Sequence, residues 1–92
     1  IQSGITVKLP PSGSRLNGFD RAHVITVSSG GSNPYYLDGH SVNLEQLKAG
    51  LVEKKNEGRR AIIHADEMAP FGRVQQASNI ALSLGYEVAY AT

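Results

Sequence analysis

An acidic corner with one histidine follows the most apolar strand-like run of the sequence. Residues 64–74 read HADEMAPFGRV, so His64, Asp66 and Glu67 lie within four positions after the apolar run 61–63. In α/β proteins, ligands often bind where strands end and helices begin. Carboxylates and imidazoles can bind a metal ion or act as general acids and bases. The corner is therefore the first candidate for an active site.

The spacing of these residues argues against that chemistry. A zinc-binding HExxH helix places two histidines on one face, and HADE lacks this spacing. Asp66 can instead accept hydrogen bonds from the backbone amides of a turn, and Pro70 suits the first position of a helix. We therefore predict a structural corner formed by Asp66, Pro70 and Gly72, with no catalytic residue, no metal and no cofactor. The alternative is a small metal-binding or hydrolytic domain that uses residues 64–67 together with His40.

The composition indicates one small globular domain. The chain has 92 residues, of which 40% are hydrophobic and 18% are charged, as in ordinary folded domains. A net charge of +1 argues against a nucleic-acid partner, because nucleic-acid binders usually carry a clustered basic face. Lys54, Lys55, Arg59 and Arg60 form the densest basic run. We predict a solvated helix end there, and the alternative is that Arg59 and Arg60 contact an anionic cell-wall polymer or acidic residues of a partner.

Alternating apolar and β-branched residues predict three strands in the first half of the chain. They cover residues 5–9, 22–27 and 35–37, and the last two form a hairpin. Pro34 suggests an edge position for the strand 35–37. A polar stretch rich in Gly and Ser precedes residue 22. The domain organisation that follows is an extended strand and flexible linker at 1–21 and a folded domain at 22–92.

The second half predicts two helices that alternate with two strands. Asn43 and Gln46 have the spacing of a capping box and Gly58 supplies a stop, which predicts a helix over 43–57. An apolar strand ending at Ala65 and a helix from Pro70 or Phe71 to Leu84 follow. The chain closes with a strand that includes 87–91.

This element order, β-β-β-α-β-α-β, defines the predicted fold class. A β-α-β unit favours parallel neighbours joined by a right-handed crossover. We predict a two-layer α+β domain with one mixed β-sheet and two helices packed on one face.

Motifs that are individually weak recur along the chain at a consistent spacing. They are Leu9-Pro10, Tyr36-Leu37 with Gly39 and Val42, Leu44 and Leu47, Ala65-Asp66, Phe71-Gly72 with Val74, and Gly85 with Val88 and Thr92. Together they resemble the periplasmic domain of the ExbD/TolR family, the small subunits of ion-driven motors in Gram-negative inner membranes. The turn from Ser28 to Pro34 is longer than in the family pattern.

The resemblance implies a non-enzymatic interaction domain. Such a domain couples the inner-membrane proton motive force to outer-membrane transport or envelope integrity through a TonB-like or TolA-like partner. It also implies a homodimer, an ExbB-like or TolQ-like membrane subunit bound through a membrane helix, and peptidoglycan as a further candidate ligand. The start at Ile1 rather than Met fits a piece of a longer protein, so that helix is expected upstream.

Strand edges are the candidate contact surfaces, because unpaired backbone groups can accept another strand. We expect residues 35–37 and 87–91 to be edges, with Tyr35, Tyr36, Val88, Ala89 and Tyr90 as partner-binding residues. The two tyrosines are either a stacking platform or alternate faces of a strand. The strand 5–9 or the final strand is expected to cross between protomers, since exchange of an identical element is a low-cost route to a dimer.

Overall fold

The computed structural model describes residues 5–7, 22–30, 34–55 and 58–91, with backbone alone for 5–7. The elements are β1 (Ile5–Val7), β2 (His23–Val27), β3 (Tyr35–Leu37), β4 (His40–Val42), α1 (Leu44–Lys54), β5 (Arg60–Ala65), α2 (Phe71–Ser83) and β6 (Glu87–Ala91). Outside the described residues lie the end of the predicted strand 5–9 with the linker that follows it (8–21), the tip of the first hairpin (31–33) and the helix end (56–57).

The strands form one mixed sheet in the order β1-β6-β5-β2-β3-β4. The strands β1, β6, β5 and β2 are mutually parallel, and β3 and β4 add to β2 as an antiparallel meander. The predicted α+β class is confirmed, including the parallel β5-α2-β6 unit and the β2-β3 hairpin. The sheet has six strands because β4 joins the five that the sequence predicted.

A tight turn creates the additional strand. Asp38 and Gly39 both have positive φ angles, 50° and 88°, as the central residues of type I′ hairpin turns do. The turn sends His40–Val42 back along β3, with Leu37 opposite His40 and Tyr35 opposite Val42. Sequence analysis missed β4 because three residues reading HSV are too short and too polar to show a strand pattern.

The predicted sheet edges are wrong. β3 pairs with β2 and β4, and β6 pairs with β5 and β1, so both lie inside the sheet. The true edges are the three-residue strands β1 and β4. Pro34 precedes β3, and its carbonyl accepts a hydrogen bond of 2.7 Å from Ser28 N. The proline therefore closes the turn before the strand instead of marking an edge.

Alternation along the central strands separates the two faces of the sheet. Ile25 and Val27 of β2 are fully buried, whereas Val24, which precedes Ile25, is 37% exposed. The buried side chains pack against Leu47 and Leu51 of α1 and against Ala77 and Ala81 of α2. Both helices thus cover one face, as predicted.

Helix α1 begins at the predicted cap and packs closely on the sheet. Asn43 Oδ1 accepts from Gln46 N at 2.7 Å, and Asn43 N donates to Gln46 Oε1 at 2.9 Å, which confirms the capping box. A Cβ atom at Gly50 would lie 2.6 Å from Leu37 Cδ2. The glycine therefore permits the close approach of α1 to β3.

A carboxylate at the β3–β4 turn connects three elements. Asp38 Oδ1 accepts from Val24 N at 2.8 Å, and Asp38 Oδ2 lies 2.9 Å from His23 Nδ1. Lys54 Nζ, at the end of α1, lies 3.8 Å from the same oxygen. His23 is 8% exposed, and its ring meets the Tyr86 ring edge-on with centroids 6.4 Å apart. Asp38 therefore ties the meander to β2 and to α1.

Loss of this carboxylate should destabilise the whole domain. We expect Asp38→Ala to lower the free energy of unfolding by about 2 kcal/mol, because Val24 N–H and the buried His23 ring lose their partner. Asp38→Asn should cost less than half as much, since Asn keeps an acceptor and tolerates positive φ. Urea denaturation measures both variants, with exposed Ser41→Ala as the control. Equal losses for Asp38→Ala and Ser41→Ala would contradict this role.

Candidate functional site

The corner after β5 is shaped by its aspartate. Asp66 N donates to Val27 O at 2.8 Å, which fixes the corner to the neighbouring strand. Asp66 Oδ1 accepts from Met68 N at 2.8 Å, and Asp66 O accepts from Ala69 N at 2.9 Å. This is the geometry of an Asx turn. One carboxylate oxygen is thus engaged by the backbone of the turn that it shapes.

Pro70 and Gly72 contribute differently to the start of α2. Pro70, with φ −59°, is the N-cap residue and not the first helical residue. Its carbonyl accepts from Arg73 N at 3.0 Å. A Cβ atom at Gly72 would meet nothing within 4 Å. No steric constraint from the neighbouring atoms therefore requires a glycine at this position.

The three histidines lie in separate environments. His23 pairs with Asp38, His40 lies in the edge strand β4, and His64 is exposed on β5. In the described part of the chain, no group of three or more His, Cys, Asp or Glu residues is placed to hold a metal ion. The residues on which the metal-binding alternative depends are not brought together there.

The two adjacent tyrosines point to opposite faces of β3. Tyr35 is 3% exposed, and its hydroxyl donates to Gln76 Oε1 at 3.1 Å, with Arg73 O at 3.4 Å. Burial raises the pKa of the Tyr35 phenol above its ordinary value, and the Arg73 guanidinium partly offsets this rise. Tyr36 is 37% exposed. A stacking platform of both rings is therefore wrong, because Tyr35 anchors β3 to α2 and is not available to a partner.

The closing strand β6 offers backbone and little side-chain surface. Val88 is 2% exposed and Ala89 is fully buried. Tyr90 is half-buried and packs against the core, and its hydroxyl is enclosed without a hydrogen-bond partner among the described residues. A partner that binds at β6 would therefore use main-chain hydrogen bonds.

The seam between β1 and β6 is the feature that sequence analysis missed. Three residue pairs form it, with Ile5 opposite Ala89, Thr6 opposite Tyr90 and Val7 opposite Ala91. On its other side, β6 pairs with β5 over five residues. Alternation in residues 5–9 predicted a strand, but the sequence did not indicate which strand it pairs with. Within the described part of the chain, β6 thus has five pairs on one side and three on the other.

The basic run near the end of α1 takes part in ion pairs. Arg60 Nε lies 3.4 Å from Glu87 Oε2 across β5 and β6, with both side chains largely exposed. Lys54 approaches Asp38 as described above. An exposed pair such as Arg60–Glu87 contributes little to stability. The contacts fit the predicted solvated surface.

The fold and the site together define a small two-layer α+β domain whose distinctive feature is a sheet with a short terminal seam. The chain belongs to the ExbD/TolR family: the model of the family described as "Biopolymer transport protein ExbD/TolR" matches residues 1–91. The predicted family is confirmed. A search of curated proteins found no match.

Family membership sets the general context of the domain. ExbD/TolR proteins are biopolymer transport subunits, anchored in the inner membrane with a periplasmic domain, that interact with membrane-motor and periplasmic partners. None of the described helices is long and apolar enough to cross a membrane.

The structural role of Asp66 can be tested by substitution. We expect Asp66→Asn to lower the free energy of unfolding by about 1 kcal/mol, because one hydrogen bond to a turn amide weakens. His64→Ala and Glu67→Ala should leave the melting temperature nearly unchanged, since both side chains are exposed. Thermal denaturation followed by circular dichroism measures all three. Tight zinc binding that is abolished by His64→Ala, measured by calorimetry, would support the metal-binding alternative.

Proposed function

We propose that this chain is the periplasmic interaction domain of an ExbD-like or TolR-like motor subunit. It transmits work driven by the proton motive force at the inner membrane to a TonB-like or TolA-like partner, for outer-membrane transport or envelope integrity. An ExbB-like or TolQ-like subunit would be engaged through the membrane helix that family members carry. The observation that carries this proposal is the family match over residues 1–91.

The sheet supports a binding mode in which strands are added or exchanged at β6. Among the described residues, three pairs hold the outer side of β6, and β1 lies at the end of the sheet. A short edge strand can be replaced at small cost, since the incoming strand restores the same main-chain hydrogen bonds. The incoming strand can be β1 of a second protomer or an extended segment of the periplasmic partner.

The side chains of β6 favour this mode over recognition by a surface pocket. Val88 and Ala89 are buried in the sheet and cannot read a partner's side chains. Tyr90 packs against the core next to the seam. Affinity would therefore come from the backbone of residues 87–91, and selectivity from side chains around the seam. Peptidoglycan is a further candidate ligand in the proposal, through the basic residues Arg59 and Arg60.

The first test concerns the homodimer. We expect the chain without residues 1–10 to dimerise about tenfold more weakly, because it has no β1 to exchange. A chain of full length with Gly-Ser-Gly in place of Ile5–Val7 is the matched control for length, and it should show the same loss. Sedimentation velocity over a concentration series measures both. A dimer of unchanged affinity in both variants would contradict strand exchange.

The second test concerns the partner segment. A peptide from the proline-rich extended region of a TonB-like protein is added to the ¹⁵N-labelled chain lacking residues 1–10. We expect NMR shift changes at the amides of 87–91 and weaker binding to the full chain, in which β1 competes for the same groups. Exposed Tyr36→Ala should not change the affinity.

Proline substitution in β6 is not suited to this test. The main chain of Val88 and Ala89 also belongs to the ladder between β5 and β6, so a proline there would disturb the core together with the seam. The deletion removes β1 only. Shift changes confined to residues 64–67, with 87–91 unaffected, would contradict binding at β6.

A further inference from the structure

Two large apolar side chains lie exposed at the corner between β5 and α2. Met68 is 75% exposed and Phe71 is 68% exposed, whereas Val52, the next most exposed large hydrophobic of the described residues, is at 44%. Pro70 and Gly72 are also exposed. We call Met68, Pro70, Phe71 and Gly72 the corner patch. Isolated exposed apolar residues are ordinary, but four exposed residues without charge within five positions of one turn are a candidate interaction surface.

The fold does not require either large side chain of the corner patch. The turn is formed by Asp66 through its carboxylate and carbonyl. Ala69 and Val74, which flank the start of α2 at the positions of a hydrophobic staple, pack against the core. Met68 and Phe71 do not belong to that core. Their exposure is therefore not a by-product of closing the corner.

The corner patch is held in a defined conformation before any partner arrives. Met68 N donates to Asp66 Oδ1 at 2.8 Å, and Ala69 N donates to Asp66 O at 2.9 Å. Pro70 has φ −59°, as its ring requires. Less backbone entropy is lost when a preorganised segment binds. The patch can thus present both apolar side chains at low cost.

The charges around the corner patch are acidic. Asp66 and Glu67 are exposed, and no other Asp, Glu, Lys or Arg lies between positions 64 and 72. Arg73 is only partly exposed, with Nη1 enclosed. The N-terminus of α2 adds roughly half a positive charge, so the corner remains acidic. Anionic lipid and nucleic acid are disfavoured, and Lys or Arg is favoured.

We propose that the corner patch docks a protein segment that places an aliphatic or aromatic side chain beside a Lys or Arg. Met68 and Phe71 bury the apolar side chain, and methionine and aromatic residues are enriched at such contacts. Glu67 pairs with the cation at the rim, where charge contributes to selectivity. This surface is distinct from the seam at β6, because it uses side chains and leaves the sheet intact.

Peptide display on the whole 92-residue chain tests this inference. A phage library of random ten-residue peptides is selected on the immobilised chain, and enriched peptides are measured by fluorescence anisotropy. We expect peptides that combine apolar residues with Lys or Arg. Their affinity should fall about tenfold or more in the variant Met68→Ser/Phe71→Ser, as for buried anchors of an interface. It should also fall in Glu67→Lys, and the affinity should decrease with added salt.

Val52→Ser is the matched control, since Val52 is an exposed apolar residue of α1. It should leave peptide affinity unchanged, and all variants should retain the melting temperature of the native chain. The inference is overturned if no peptide is enriched, or if enriched peptides bind the double variant as tightly as the native chain. It is also overturned if Met68 and Phe71 instead mediate self-association in sedimentation or binding to vesicles of phosphatidylglycerol. Because β1 stays in place, failure here leaves the proposal for β6 untouched.

Discussion

The carboxylate of Asp38 is the contact on which the arrangement of the outer half of the sheet depends. It lies in a hairpin turn, yet it accepts from the amide of Val24 and faces the buried ring of His23, both on β2. The same oxygen is approached by Lys54 from the end of α1. Meander, central sheet and first helix therefore share one polar anchor. A buried histidine without this partner would carry an uncompensated desolvation cost.

The two ends of the sheet differ in how their outer strands are attached to the rest of the domain. At one end the meander β3–β4 is continuous in sequence with α1, and Asp38 and Tyr35 fix it to the rest of the domain. At the other end β1 is joined to β6 by three residue pairs. Short edge strands limit uncontrolled pairing, and they also leave a position where another strand can enter. The proposed exchange at β6 follows from this asymmetry.

The corner after β5 carries residue types that suggest catalysis, but its aspartate has a structural role. One carboxylate oxygen of Asp66 accepts a hydrogen bond from the backbone of its own turn, and His64 and Glu67 are exposed beside it. The same turn orients Met68 and Phe71 outward. Acidic and apolar groups are thus exposed together on one hydrogen-bonded turn. The strand edge and the corner would contact partners by different physical means, main chain in one case and side chains in the other.

The sequence by itself determined the elements that depend on local chemistry. The capping box of Asn43 and Gln46 and the alternation of β2 each act within one element, and the structure reproduces both. The family motifs are spread over almost the whole chain. They identified the family because a motif consists of residue types at given positions and does not depend on knowing the tertiary contacts.

Only the tertiary structure decided which strands are neighbours. β6 and β3 lie inside the sheet because β1 and β4 pair with their outer sides, and those pairings join residues as distant as Ile5 and Ala89. Backbone hydrogen bonds between strands carry no side-chain signature, so no pattern in residues 5–9 names β6 as the partner. The burial of Tyr35 and the exposure of Phe71 follow likewise from packing between distant elements. Side-chain type alone does not fix either of them.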